Sequence, residues 1–138
     1  MWSEAILELE LVGSNNANIV WEWHLWDHLI QEIDPELPNY GVVADHPELQ
    51  DINYGNVGSM SDPLGPNGDW KHLNSIDYNE DLDQIIISSR HHDEIYIIDH
   101  STTTEEAASN SGGNSGKGGN YLYRWGNPQT YGLSLIHI

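Results

Sequence analysis

Three short segments of β-type residues follow one another after Asp69 with only tight polar turns between them: HLNSIDY (72–78), DQIIISSR (83–90) and EIYIID (94–99). Gaps this short predict hairpins, with an acidic corner at Asn79 to Asp81 and a polar one at His91 to Asp93. A fourth segment, YLYRW (121–125), follows a long insert and brings the set to a four-stranded sheet. Ile85, Ile86 and Ile87 run without alternation, which predicts a central strand buried on both faces.

An echo earlier in the chain extends this pattern. Asn18-Ile19-Val20-Trp21-Glu22-Trp23 lines up with Asn120-Tyr121-Leu122-Tyr123-Arg124-Trp125, from position 18 to position 120, a spacing of 102. AILELEL (5–11) precedes the first copy as EIYIID precedes the second. A period this long implies an insert in each copy. Six Trp and seven Tyr without a Phe suit strands that keep a polar tip wet.

The connecting stretches read differently. WDHLIQEI (26–33) predicts a short helix or turn with Leu29, Ile30 and Ile33 on one face, stopped by Pro35 and Pro38. Residues 39–70 are rich in Gly, Pro, Asn and Asp and predict an ordered long loop with one helical turn at 46–49, of the kind that usually carries function. In STTTEEAA, Thr102 and Glu105 have capping-box spacing. Residues 109–119 predict a flexible projection.

Net charge is −18, from 22 acidic against four basic side chains. Such a surface repels nucleic acid and anionic lipid, which excludes nucleic-acid binding. No apolar run approaches a membrane span, and no signal-peptide pattern opens the chain. Without cysteine, disulfide and thiolate chemistry are also excluded.

Several motifs dissolve on inspection. SGGNSGKG (111–118) loosely resembles a phosphate-binding loop, but Ser111 and Gly118 replace its required ends and no buried strand leads into it. DYNEDLD (77–83) lacks the Gly and the length of a calcium loop and reads as a hairpin turn. His91 and His92 point to opposite faces and read as turn residues instead of metal ligands. No metal and no cofactor are expected.

His72, Asn74 and Arg90 are the candidate site. Alternation puts His72, Asn74 and Ile76 on one face of their strand, and the hairpin returns Arg90 to the end where His72 begins. A guanidinium fork, an amide donor and an imidazole suit an anion of the sulfate or phosphate type. Spacing alone favours ordinary polar contacts at strand ends.

The wording DWKHLNSIDYNEDLDQIIISSR (69–90), with EIYIIDHSTTTEEA, YLYRWGNPQTYG and, upstream, IVWEWHLWDHLIQ and YGVVADHPELQDIN, resembles the arylsulfotransferase family over nearly all of residues 5–132. The resemblance implies an all-β fold: part of a six-bladed β-propeller, about one and a half four-stranded blades with long loops and short helical insertions. A closed propeller needs roughly 40–50 residues per blade, so 138 residues cannot close one. It also implies transfer of a sulfuryl group from an aryl sulfate to a phenolic acceptor through a sulfated histidine, with no nucleotide sulfate donor. By the same resemblance, His72 and Asn74 in HLNS match the family's motif on an inner strand, and Arg90 matches its arginine that steadies the sulfuryl oxygens.

By the same resemblance the nucleophilic histidine sits in a later blade, past Gly132. His28 is a candidate lining residue for substrate, although a structural loop histidine is the commoner reading. The alternative to the enzyme is a non-catalytic propeller module that binds a sulfated ligand or a protein partner. The expected partners are a small aryl sulfate and a phenol, with no nucleic acid and no membrane, and a homodimer of the parent is allowed for. The expected location is periplasmic or secreted. Residues 1–132 are expected to be a fragment of the propeller domain. The tail LSLIHI (133–138) reads as translated sequencing adapter.

Overall fold

A computed structural model describes residues 1–55 and 68–134 of the chain. Part of the 39–70 loop and most of the LSLIHI tail lie outside the described residues.

Among the described residues, polar turns and β-rich runs resolve into eight strands. They are β1 (Ala5–Val12), β2 (Asn16–His24), β3 (Leu29–Ile30), β4 (Gln50–Asp51), β5 (Leu73–Asn79), β6 (Gln84–Ser89), β7 (Glu94–Asp99) and β8 (Tyr123–Gly126). One short helix, α1 (Thr104–Ala107), and three 3-10 turns complete the described elements. The fold is all-β in character. β5 to β8 form one antiparallel sheet in sequence order, β1 and β2 form a separate hairpin, and β3 pairs parallel with β4.

The two turns of the meander end in the same way. Asp83 and Asp93 both adopt positive φ, 50° and 54°, a conformation that Asp tolerates better than most side chains. Each places the last residue of a short hairpin loop in the left-handed region. Asp83 is held there by accepting from the Tyr78 hydroxyl at 2.8 Å and pairing with His100 Nδ1 at 2.8 Å.

The core forms where β2 lies against β6 and β7. Trp21 and Trp23 alternate inward from β2 to meet Ile85, Ile87, Tyr96 and Ile98, with Ile6, Leu25, Trp70, Ala107 and Tyr121 around them. The triple isoleucine alternates after all. Ile85 and Ile87 are buried, but Ile86 is 38 % exposed, because the described chain covers only one face of β6.

The helix forecasts shift. Residues 26–33 split into a 3-10 turn at Leu25–His28 and strand β3, leaving Ile33 exposed. Pairing with Gln50 and Asp51 of β4 supplies partners that a helix would otherwise supply internally. The turn forecast at 46–49 is present, closed by Leu49 N donating to the His46 carbonyl at 3.1 Å, and a 3-10 turn at Val43–Asp45 leads into it. The capping box uses Thr103 and Glu106. TTTEE satisfies the spacing in two registers, and the Trp21 indole donates to Thr102 Oγ1 at 3.1 Å, which engages the other candidate.

Residues 109–119 do not project as a flexible arm. The segment folds back on the 99–101 corner, where the buried Asp99 Oδ2 accepts from Ser115 N at 2.8 Å and Ser101 Oγ accepts from Asn114 N at 2.7 Å. Gly113 is needed there: its φ is +66°, and a Cβ would lie 2.7 Å from Asp99 Oδ2.

Candidate functional site

Two backbone hydrogen bonds build the open end of the β5–β6 hairpin. Arg90 N donates to the His72 carbonyl at 3.1 Å, and His91 N donates to the Lys71 carbonyl at 3.2 Å. Ser89 Oγ adds a third bond, to the same Lys71 carbonyl, at 2.6 Å. The hairpin thus returns Arg90 to His72 as the spacing predicts, at the level of the backbone.

His72 precedes β5 in a left-handed conformation, φ 51°, an uncommon one for histidine. Its Nδ1 pairs closely with Asp69 Oδ2, and its ring lies 5.0 Å from that of His91. Asp69, His72 and His91 each offer a ligand atom within 4.8 Å of the other two. His72 and Asp69 are half-buried, whereas His91 is exposed.

The expected shared face of His72, Asn74 and Ile76 is broken by an irregularity in pairing between Leu73 and Ser75. Ile76 pairs with Ile87, but Asn74 Oδ1 accepts from Ser88 Oγ at 2.7 Å. Neighbouring Ile87 and Ser88 point to opposite faces, so the extra residue in β5 turns Asn74 away from Ile76. Asn74 and Arg90 are both exposed.

His28 stands elsewhere. It is 1 % exposed and stacked on Trp23, and its Nε2 donates to the Ala107 carbonyl at 2.8 Å while Nδ1 lies 2.9 Å from Asn120 Oδ1. None of these contacts reaches His72, Asn74 or Arg90.

Directly behind the open end lies a buried ionic network that the sequence reading does not anticipate. Glu94 accepts from Arg124 at both oxygens, 3.0 Å from Nε and 2.8 Å from Nη2, and also from the Tyr96 hydroxyl at 2.6 Å. Lys71 is fully buried and donates to Gln50 Oε1 at 2.5 Å and to the Tyr96 hydroxyl at 2.8 Å. Burial opposes the Arg124 charge, but the Glu94 pair outweighs it and holds the guanidinium above its ordinary pKa. Burial, followed by the Arg124 charge, pushes Lys71 well below the usual lysine range. The available signal is cross-strand register: in an antiparallel β7–β8 pair, Arg124 stands opposite Tyr96 and near Glu94.

His92 fills the remaining space. It is fully buried, edge-on to Trp70 and Tyr54 at ring distances of 5.3 and 5.4 Å, and neither ring nitrogen finds a partner among the described residues. Burial, then the charges of Lys71 and Arg124, lower its pKa to about 3, so the ring is neutral.

The exposed end thus offers an imidazole oriented by a carboxylate, a second imidazole, an amide and a guanidinium with no side-chain hydrogen bond or ion pair among the described residues. Groups of these types can hold an anionic oxygen and move a proton where they converge, but the one direct link among His72, Asn74 and Arg90 is the backbone bond from Arg90 to His72. In comparisons with known proteins, the family model described as Arylsulfotransferase (ASST) matches residues 6–107. No curated protein and no solved structure matches.

Proposed function

The chain belongs to the arylsulfotransferase family, and from that premise we propose that it is part of an aryl-sulfate sulfotransferase whose His72, Asn74 and Arg90 serve the sulfuryl group. The β5–β8 meander is then one blade of a six-bladed propeller, and the β1–β2 hairpin is half of another. A periplasmic or secreted parent, acting on a small aryl sulfate and a phenol, goes with this reading.

The chemistry runs as two displacements at sulfur. A histidine nitrogen from another blade attacks the sulfur of the aryl sulfate, an N–S bond forms, and the S–O bond to the aryl oxygen breaks. The phenolic acceptor oxygen then attacks the same sulfur, and the N–S bond breaks. Arg90 and Asn74 neutralise charge on the sulfuryl oxygens that do not react. His72 passes a proton to the departing aryl oxygen and takes one from the incoming phenol. Asp69 acts as a positioning residue, holding His72 Nδ1 so that Nε2 is left for the substrate.

The observation that supports the reading is the Arg90 N to His72 O bond, which brings the backbone of one of only four Lys and Arg residues level with that of His72, whose ring pairs with Asp69. The test is transfer from an aryl sulfate to a phenol by the full parent protein. His72→Ala and Arg90→Ala are each expected to lower kcat by about 10²–10³-fold, the scale for removing one charge-stabilising or proton-moving group. Turnover like that of the unmodified protein in either variant overturns the assignment.

A further inference from the structure

We propose that Asp69, His72 and His91 form a binding site for a divalent transition-metal ion of the zinc class. The three come from different parts of the hairpin: Asp69 and His72 from the approach to β5, and His91 from the β6–β7 turn. Their ligand atoms lie within 4.8 Å of one another. Ligand bonds of about 2.0–2.2 Å around a tetrahedral ion leave those atoms roughly 3.5 Å apart, so closure asks for about an ångström of side-chain movement.

The frame is already fixed. The Arg90 N to His72 O and His91 N to Lys71 O bonds lock both histidine backbones in register, and the left-handed φ of 51° at His72 is the kind of local strain that collects at functional positions. Two imidazole nitrogens with one carboxylate oxygen select a borderline ion such as Zn²⁺ or Co²⁺, whereas Ca²⁺ and Mg²⁺ prefer oxygen alone. Three protein ligands beside an exposed face leave a coordination position open to solvent or to an anion.

His91 and His92 cannot serve one ion together, since one is exposed and the other buried. The partnership runs across the hairpin, between His91 and His72. Binding does not depend on sulfuryl transfer, but where both hold, an ion on His72 removes its proton carriage and Zn²⁺ inhibits the parent enzyme.

Titration of the chain with Co²⁺ alone, followed by Zn²⁺ competition, tests the site. The expected result is one Co²⁺ per chain with visible d–d absorption, displaced by Zn²⁺. His91→Ala, a change at an exposed turn position, is expected to weaken binding at least tenfold, and His46→Ala, at the separate exposed His46–Glu48 pair, to leave it unchanged. In the unmodified chain, Co²⁺ is expected to broaden the His72 and His91 ring resonances first. Absence of saturable binding, equal affinity in His91→Ala, or broadening spread evenly over the exposed histidines overturns the proposal. None of these readouts uses transferase activity, so failure of the proposed function and failure of this site are separable.

Discussion

At the scale of single residues, the adjacent pair His91 and His92 divides two kinds of chemistry across one peptide bond. Strand-end geometry predicts their opposite faces, and the structure exposes one and buries the other. What each side chain meets was not legible, because His72 and Trp70 reach them only through the hairpin register. The buried ring has a thermodynamic consequence. His92 titrates near 3 when folded and near 6.5 in its ordinary state, so between those values the unfolded chain binds a proton that the folded chain refuses. Its contribution is therefore complete above about pH 6.5 and is lost progressively as pH falls toward 3, up to a few kcal/mol at about 1.4 per pKa unit. Urea unfolding at pH 8 and pH 5 is expected to show this loss, and His92→Leu is expected to flatten it. An unchanged slope in that variant would exclude His92 as the source.

At the scale of elements, strands and connections differ in how far the sequence announced them. β5, β6 and β7 fall within a residue or two of the patterns HLNSIDY, DQIIISSR and EIYIID, since turn chemistry and β-branched runs act locally. Residues 109–119 misled, because Gly, Ser and Asn signal flexibility unless distant groups such as Asp99 and Ser101 tie the segment down. The break in pairing at Asn74 was also hidden, as nothing in HLNS marks an extra residue. The Glu94–Arg124 pair links β7 to β8, and Arg124 Nη1 donates to the Leu49 carbonyl at 2.8 Å. Arg124→Ala is expected to cost about 3–5 kcal/mol in denaturant unfolding, since it strands a buried carboxylate. Lys71→Met, which removes a buried cation whose pKa is already depressed, is expected to cost far less. Equal losses in the two would contradict this ranking. Gly119→Ala belongs here too: a Cβ would lie 1.9 Å from the Ala107 carbonyl and 2.6 Å from His28 Nε2, so the segment must detach from α1 and β2. Trypsin cleavage after Lys117 is expected to accelerate strongly in that variant.

At the scale of the whole molecule, the all-β character and the family were legible, the latter because long ordered wording survives in residues that also build the core and the open end. The charge of −18 sets the molecule's response to salt. Like charges crowded by folding repel, and a Debye length shrinking from about 30 Å at 0.01 M to about 8 Å at 0.15 M relieves that repulsion. The thermal midpoint is therefore expected to rise with sodium chloride across that range, and a flat response would show that the acidic groups are already compensated.

The Trp23 indole donates to the Gly119 carbonyl at 2.7 Å, across 96 positions of chain. The β1–β2 hairpin must therefore keep Trp23 waiting until a partner far downstream has been made. The β5–β7 meander, whose partners are sequence neighbours, has no such delay. Pulsed amide exchange during refolding is expected to protect β6 and β7 before Trp21 and Trp23 dock, so a segment made earlier settles later than one made after it.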